Sequence, residues 1–197
     1  MSLTDIDSVI LCCMIQNPEM SLSEIGERVG LSHVSVRSRI NKMKEQNIME
    51  KRVLINPEVL DFEVAYILIK TENDEKKENL LKLFESCPRV FFLTTIIGDC
   101  DIYLGVVAED RAILELLRSR DYCLLRFPGI LESEIRHQEN LVKPSFLPIL
   151  LPICPSETSI APCDETCVEC EKFSHRICVG CPQVKEYKGR LQIKPKR

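Results

Sequence analysis

"SLSEIGERVGLSHVSVRSRI", Ser21 to Ile40, decides the fold of the first part of the chain. Ser21 stands three residues before Glu24, the reciprocal pattern that closes a helix start. Ile25 and Val29 follow at helical spacing. Gly30 ends that helix, because a residue without a Cβ enters the left-handed conformation freely. Ser32 caps the next helix, in which Val36, Ile40 and Met43 share one face. Asn47 is a second left-handed terminator. Upstream, Thr4 caps a helix carrying Ile6, Val9, Ile10 and Cys13. Two helices joined by "VGLS" predict a helix-turn-helix.

An ordinary antiparallel helix pair would show the same apolar pattern, and charge separates the two. The helix after the turn offers Arg37, Arg39, Lys42 and Lys44 against Glu45, a local balance of about +3. The helices before it hold Asp5, Asp7, Glu19, Glu24 and Glu27 against Arg28. Basic charge is concentrated on the element that enters a major groove in such motifs. Ser32, His33, Ser35 and Arg37 are placed to reach base edges, and Arg39 and Lys42 to hold phosphates. His33 reads equally well as an exposed helix-start residue. The net charge of the 197-residue chain is -4, so nucleic-acid contact must come from this local patch. "IMEKRVLIN", Ile48 to Asn56, reads as a short hairpin, the wing, stopped by Asn56-Pro57.

Residues 62 to 139 alternate strand and helix patterns. "FEVAYILIK", "RVFFLTTIIG", "CDIYLGVVA" and "GILESEIRHQENLV" read as strands, the middle two joined by a tight Gly98-Asp99 turn. "DEKKENLLKLFES" and "EDRAILELLRSR" read as amphipathic helices. The order βαββαβ predicts a ferredoxin-like sandwich, with both helices on one face of an antiparallel sheet. The other face needs covering, and dimerisation is the simplest cover.

Hydrophobic residues at 45% and charged residues at 28% are ordinary for a globular protein. The N-terminal stretch lacks the basic start of a secretory signal. The most apolar run, "FLPILLPIC", is too short to span a membrane. A cytoplasmic location is expected, where thiols stay reduced and cysteine clusters bind metal.

Eleven cysteines are present, and five lie in "PCDETCVECEKFSHRICVGCPQ", Pro162 to Gln183. Cys167-x2-Cys170 and Cys178-x2-Cys181 are two knuckles, each able to turn both sulfurs toward one metal. Four thiolates suit a structural Zn2+ site, the first reading, and serve an iron–sulfur cluster equally well. Cys163 and His175 are further candidate ligands, although a spacer histidine such as His175 more simply faces solvent. Cys12, Cys13, Cys87, Cys100 and Cys123 lie on or beside apolar elements and read as small buried hydrophobes. Before the knuckles, Pro144, Pro148, Pro152, Pro155 and Pro162 predict an extended segment whose apolar residues dock on the preceding domain or across a dimer. After them, "VKEYKGRLQI" suggests a small hairpin turning at Lys188-Gly189. Lys185, Lys188, Arg190, Lys194, Lys196 and Arg197 make the end basic, either as a solvated tail or as added phosphate contacts.

The segments "LTDIDSVIL", "SLSEIGERVGLSHVSVRSRI", "VLINPEVLDF" and "IIGDCDIYLGVV" occur in the order seen in Lrp/AsnC, or feast/famine, transcriptional regulators. Residues 3 to about 140 resemble that family. The resemblance implies an α+β architecture with a winged helix-turn-helix over 1–60 and a ferredoxin-like effector and dimerisation domain over 61–142. Beyond the resemblance, the residues themselves predict a proline-rich linker over 143–162 and a Cys-rich metal-binding module with a basic tail over 163–197. The resemblance further implies homodimers that assemble into larger rings, with two recognition helices on a palindromic double-stranded operator. A small molecule such as an amino acid would bind between dimers near a Gly-Asp-x-Asp hairpin, matched here by Gly98, Asp99 and Asp101. Cys100 departs from the family pattern and leaves the effector open.

An enzyme on the same scaffold is the alternative. Siroheme decarboxylases resemble this family in both domains, and need tetrapyrrole-binding groups in the second. His137 is the one histidine there.

Overall fold

Two capping boxes start the helices of the first unit. Thr4 accepts from the Asp7 N–H while Asp7 accepts from the Thr4 N–H, opening α1, Asp5–Gln16. Ser21 and Glu24 do the same for α2, Leu22–Val29, with Ser21 N donating to Glu24 Oε2 at 2.8 Å. Gly30 (φ 68°) ends α2, and Ser32 caps α3, His33–Glu45, accepting from the Ser35 N–H at 3.2 Å. Asn47 takes φ 55° beyond α3. Ile10, Cys13, Ile25, Val36, Ile40 and Met43 form the core of this unit. One residue unmarked in the sequence sets the turn. A Cβ on Gly26 would lie 2.4 Å from the Leu31 carbonyl oxygen, so the chain can wrap this tightly only over glycine.

This computed structural model describes residues 3–118, 123–140, 142–149, 151, 157–162 and 164–192. The chain divides into Met1–Arg52 and Val53–Arg197. The expected wing hairpin is not formed among the described residues. Residues 49–54 have no strand, and Ile55 makes only an isolated bridge to Leu147, with N–H to O distances of 2.8 Å in both directions. The backbone groups that a wing would have paired locally are taken at Ile55 by the proline-rich segment.

The second unit contains β1 (Glu63–Thr71), α4 (Asp74–Ser86), β2 (Val90–Thr95), β3 (Ile102–Ala108), α5 (Arg111–Arg118) and β4 (Ile130–His137). The sheet order is β2-β3-β1-β4, every pair antiparallel, which is the ferredoxin-like arrangement expected. Ala65, Ile67 and Ile69 of β1 and Ile102, Leu104 and Val106 of β3 point to one face. There they pack under Leu80 and Phe84 of α4 and Ile113, Leu114 and Leu117 of α5. The β2–β3 connection is not a tight two-residue turn. It runs from Ile96 to Asp101, with Ile97 fully exposed.

The opposite face is partly covered by the chain itself. Val64 and Val107, directly paired across β1 and β3, are buried under Leu147, Ile149, Ala161, Val184, Tyr187 and Leu191. Burying a large aliphatic side chain contributes roughly 1.5–3 kcal/mol, enough for several such residues to pin a segment with little regular structure. The expected docking of the proline-rich segment is thus seen at Leu147 and Ile149. Among the described residues the small hairpin at Lys188-Gly189 is not formed, because Val184, Tyr187 and Leu191 each turn onto the sheet instead. A single helical turn, α6 (Glu171–Ser174), fills the spacer between the two cysteine pairs.

Candidate functional site

Ser32, His33, Arg37, Lys42 and Lys44 are exposed on α3, while Val36, Ile40 and Met43 are buried, as their spacing predicted. The start of α3 therefore presents a hydroxyl, an imidazole and a guanidinium to solvent, with ammonium groups further along. Ser32 and Ser35 hydroxyls lie 3.0 Å apart, so both serve the cap as well as the surface. Arg39 differs from its neighbours. Its Nη1 donates to Asp7 Oδ1 at 2.8 Å, tying α3 to α1. The Thr4 hydroxyl, then Arg39, hold the Asp7 carboxyl below its ordinary value of 3.8. The guanidinium read from sequence as a phosphate contact thus has an internal partner.

In the β2–β3 connection Gly98 takes φ 147° and Asp99 is exposed. Asp101 turns back to the sheet, accepting from the Thr71 N–H at 2.7 Å and the Thr71 hydroxyl at 2.9 Å. These bonds, helped by the charges of Lys77 and Lys70, lower its carboxyl below the usual range. Asp101 fastens this loop to the end of β1.

Cys167, Cys170, Cys178 and Cys181 all border one cavity of about 390 Å³, between the helix side of the second unit and the C-terminal segment. Cys87, at the end of α4, borders it too. The Gly180 N–H donates to Cys178 Sγ at 3.3 Å, and the Cys181 N–H bonds the Cys167 sulfur. Burial, more than the neighbouring thiols, pushes the Cys167 thiol up. Among the described residues no three Cys, His, Asp or Glu side chains are gathered closely enough to share one ion. His175 is exposed at the end of α6, and Cys163 lies outside the described residues.

A buried polar network that the sequence reading missed anchors this module. Arg89 donates to both Glu109 oxygens, at 2.6 and 3.0 Å, and to the Gly180 carbonyl at 3.1 Å. The Tyr187 hydroxyl donates to Glu109 and accepts from the Leu191 N–H at 2.6 Å. Burial and then Glu109 hold that phenol protonated far above its ordinary range. Arg190 donates to the backbone carbonyls of Leu60, Asp61 and Glu109 and stacks on Phe62. Lys188 lies over the Phe173 ring. These two cations, read as tail or phosphate contacts, dock the module instead; Lys194, Lys196 and Arg197 lie outside the described residues. Charges separated so widely in sequence leave no local pattern.

His137 lies on β4 with Nε2 3.2 Å from Glu115 of α5, its side chain 20% exposed. It is engaged at the helix–sheet boundary rather than displayed in a pocket.

The AsnC-type helix-turn-helix domain matches residues 3–44. The transcriptional regulator Ptr1 of Methanocaldococcus jannaschii is 30% identical over 129 residues, 63% of this chain and 85% of its own. The E. coli AsnC structure superposes with a TM-score of 0.60 at 20% identity, covering 71% of this chain and 94% of that one. A Neisseria meningitidis regulator solved as a complex with L-Met, NMB0573, gives 0.62 at 20% identity, covering 72% and 93%. The chain belongs to the AsnC/Lrp family of helix-turn-helix transcriptional regulators. It is a DNA-binding regulator of that type, and its relatives are regulators rather than enzymes. No helix among the described residues is long and apolar enough to cross a membrane.

Proposed function

We propose that this chain is a cytoplasmic, sequence-specific regulator that sets α3 into the major groove of a palindromic operator as a homodimer or larger homo-oligomer. The observation that carries this is the exposed basic face of α3. Ser32, His33, Ser35 and Arg37 read base edges, and Lys42 holds phosphate. Arg39 contributes to phosphate binding only by sharing its guanidinium with Asp7. A small molecule of the amino-acid class acts at Gly98, Asp99 and Asp101. The L-Met complex of the Neisseria protein supports that class, while the inward bonds of Asp101 leave Gly98 and Asp99 as its outward groups. Cys167, Cys170, Cys178 and Cys181 form a metal centre, zinc or iron–sulfur, that braces the fold or senses metal or redox state. Their shared cavity supports this.

Selection of bound sequences from a random DNA pool, followed by salt titration of the winner, tests the reading. A palindromic consensus is expected, with Arg37→Ala weakening it at one base position by about 1–3 kcal/mol. Equal affinity for all sequences would overturn it.

A further inference from the structure

We propose that the C-terminal module clamps the stretch of chain that leaves the DNA-binding unit, and that Arg190 carries the state of the second cysteine knuckle to it. This rests on the reading of the chain as an operator binder, and not on what the cysteines hold. The DNA-binding unit ends at Arg52, and by Ile55 the chain is already held from far along the sequence. Ile55 exchanges two backbone bonds of 2.8 Å with Leu147. Arg190 Nη1 donates to the Leu60 carbonyl at 3.2 Å, and Nη2 to the carbonyls of Asp61 at 2.8 Å and Glu109 at 2.7 Å. Its guanidinium carbon lies 5.6 Å from the centre of the Phe62 ring. The Leu60 and Phe62 N–H groups close the turn on the Pro57 carbonyl, and Arg190 takes the carbonyls on its other side.

The clamp is built on the knuckle. The Lys188 N–H donates to the Val179 carbonyl at 2.8 Å, the Val184 N–H to the Cys181 carbonyl at 3.1 Å, and the Gln192 side chain to the Pro182 carbonyl at 3.3 Å. These bonds fold residues 184–192 back over 178–182 and set Arg190 in place. From the other side Arg89 joins the Gly180 carbonyl to Glu109, the residue whose backbone Arg190 also bonds. Three carbonyls are spanned by one planar fork, which an ammonium point charge does not match. Asp61 takes φ 53°, uncommon for a residue with a Cβ and kept only where the surroundings fix it. Arg190 on its carbonyl is such a fixture. An ordered junction loses less freedom when the DNA-binding unit is seated. The closed clamp therefore strengthens operator binding, and a knuckle that opens weakens it.

The full chain, Arg190→Met, Gly180→Val and the double variant are compared by backbone hydrogen exchange and by affinity, at fixed salt, for the duplex selected from the random pool. Gly180→Val opens the knuckle without touching Arg190, since at φ 89° a Cβ would lie 3.2 Å from the Phe173 ring and 3.3 Å from Cys167 Sγ. Each single variant should speed exchange at Leu60, Asp61 and Phe62 and lower the affinity about five-fold or more. The α1–α3 amides and the thermal midpoint of the first unit should not change. The double variant should lose no more than the worse single one, because both break one route. Unchanged exchange at 60–62, or unchanged affinity, in Arg190→Met overturns the clamp. Losses that add in the double variant, or no effect from Gly180→Val, overturn the route from the knuckle. A parent with no preferred sequence overturns the operator reading instead, and the same four affinities are then read on a random-sequence duplex.

Discussion

Arg89, just before β2, and Glu109, just after β3, form a two-pronged ion pair with each residue only 3% exposed. The same guanidinium bonds the Gly180 carbonyl between Cys178 and Cys181, so one buried cation joins the sheet to the second knuckle. Removing one partner of such a pair strands the other charge. Arg89→Met should destabilise the second unit by about 3–5 kcal/mol, and Arg89→Met with Glu109→Leu should recover much of the loss. Urea unfolding of the parent and the two variants measures this; a double variant as unstable as the single one would show that the pair is not the source.

Tyr187→Phe removes the hydroxyl that serves both Glu109 and the Leu191 N–H. The buried Leu191 N–H loses its acceptor, at roughly 1–3 kcal/mol, while Glu109 keeps its two bonds from Arg89. The expected result is faster backbone hydrogen exchange over 184–191 and at Val64 and Val107, with the α1–α3 amides unchanged.

Arg37 and Arg39 are two residues apart on α3 but should respond differently. Arg37 is exposed, so Arg37→Ala should weaken operator binding without lowering the thermal midpoint of the first unit. Arg39→Ala breaks the tie to Asp7 and should lower that midpoint. A binding loss with an unchanged midpoint for Arg39→Ala would return it to the phosphate-contact role.

Asp7 also gives a pH signature. Its carboxyl is depressed below 3.8, first by the Thr4 hydroxyl and then by Arg39. A group with a depressed folded value stabilises the fold above its unfolded value, and that contribution fades as pH falls through the folded one. Acid unfolding of the first unit should therefore begin below about pH 4 in part through Asp7. Asp7→Asn should be less stable than the parent at pH 7 and nearly equal to it at the acid end. A constant difference across that range would argue against the linkage.

Gly26→Ala tests the turn. Its Cβ would meet the Leu31 backbone oxygen at 2.4 Å, and backbone cannot rotate aside as a side chain can. A destabilisation of about 1–3 kcal/mol is expected from such overpacking, with weaker operator binding because α3 is reoriented.

The parts legible in the sequence were those written locally. Thr4, Ser21, Gly30, Ser32 and Asn47 each act within four residues of their position, and each took the expected conformation. The strand order followed from the βαββαβ succession. The wing failed because strand propensity in "KRVLIN" says nothing of what pairs with it, and Leu147, 92 residues after Ile55, took that place. Arg89 with Glu109, and Asp101 with Thr71, were invisible for the same reason. An ion pair or hydrogen bond closed by tertiary packing has no spacing to read. The two cysteine pairs are plain in the sequence, while the cavity that all four border needed coordinates.

Val64 and Val107 can be buried only once. A segment of the same chain already lies on them, so a second copy approaching that face competes with it or settles beside it. Competition would make tail docking and self-association reciprocal: whatever factor the bound tail takes from the dimer affinity, the dimer takes from the tail's hold on the sheet. Dilution would then tighten the tail, and crowding of copies would loosen it.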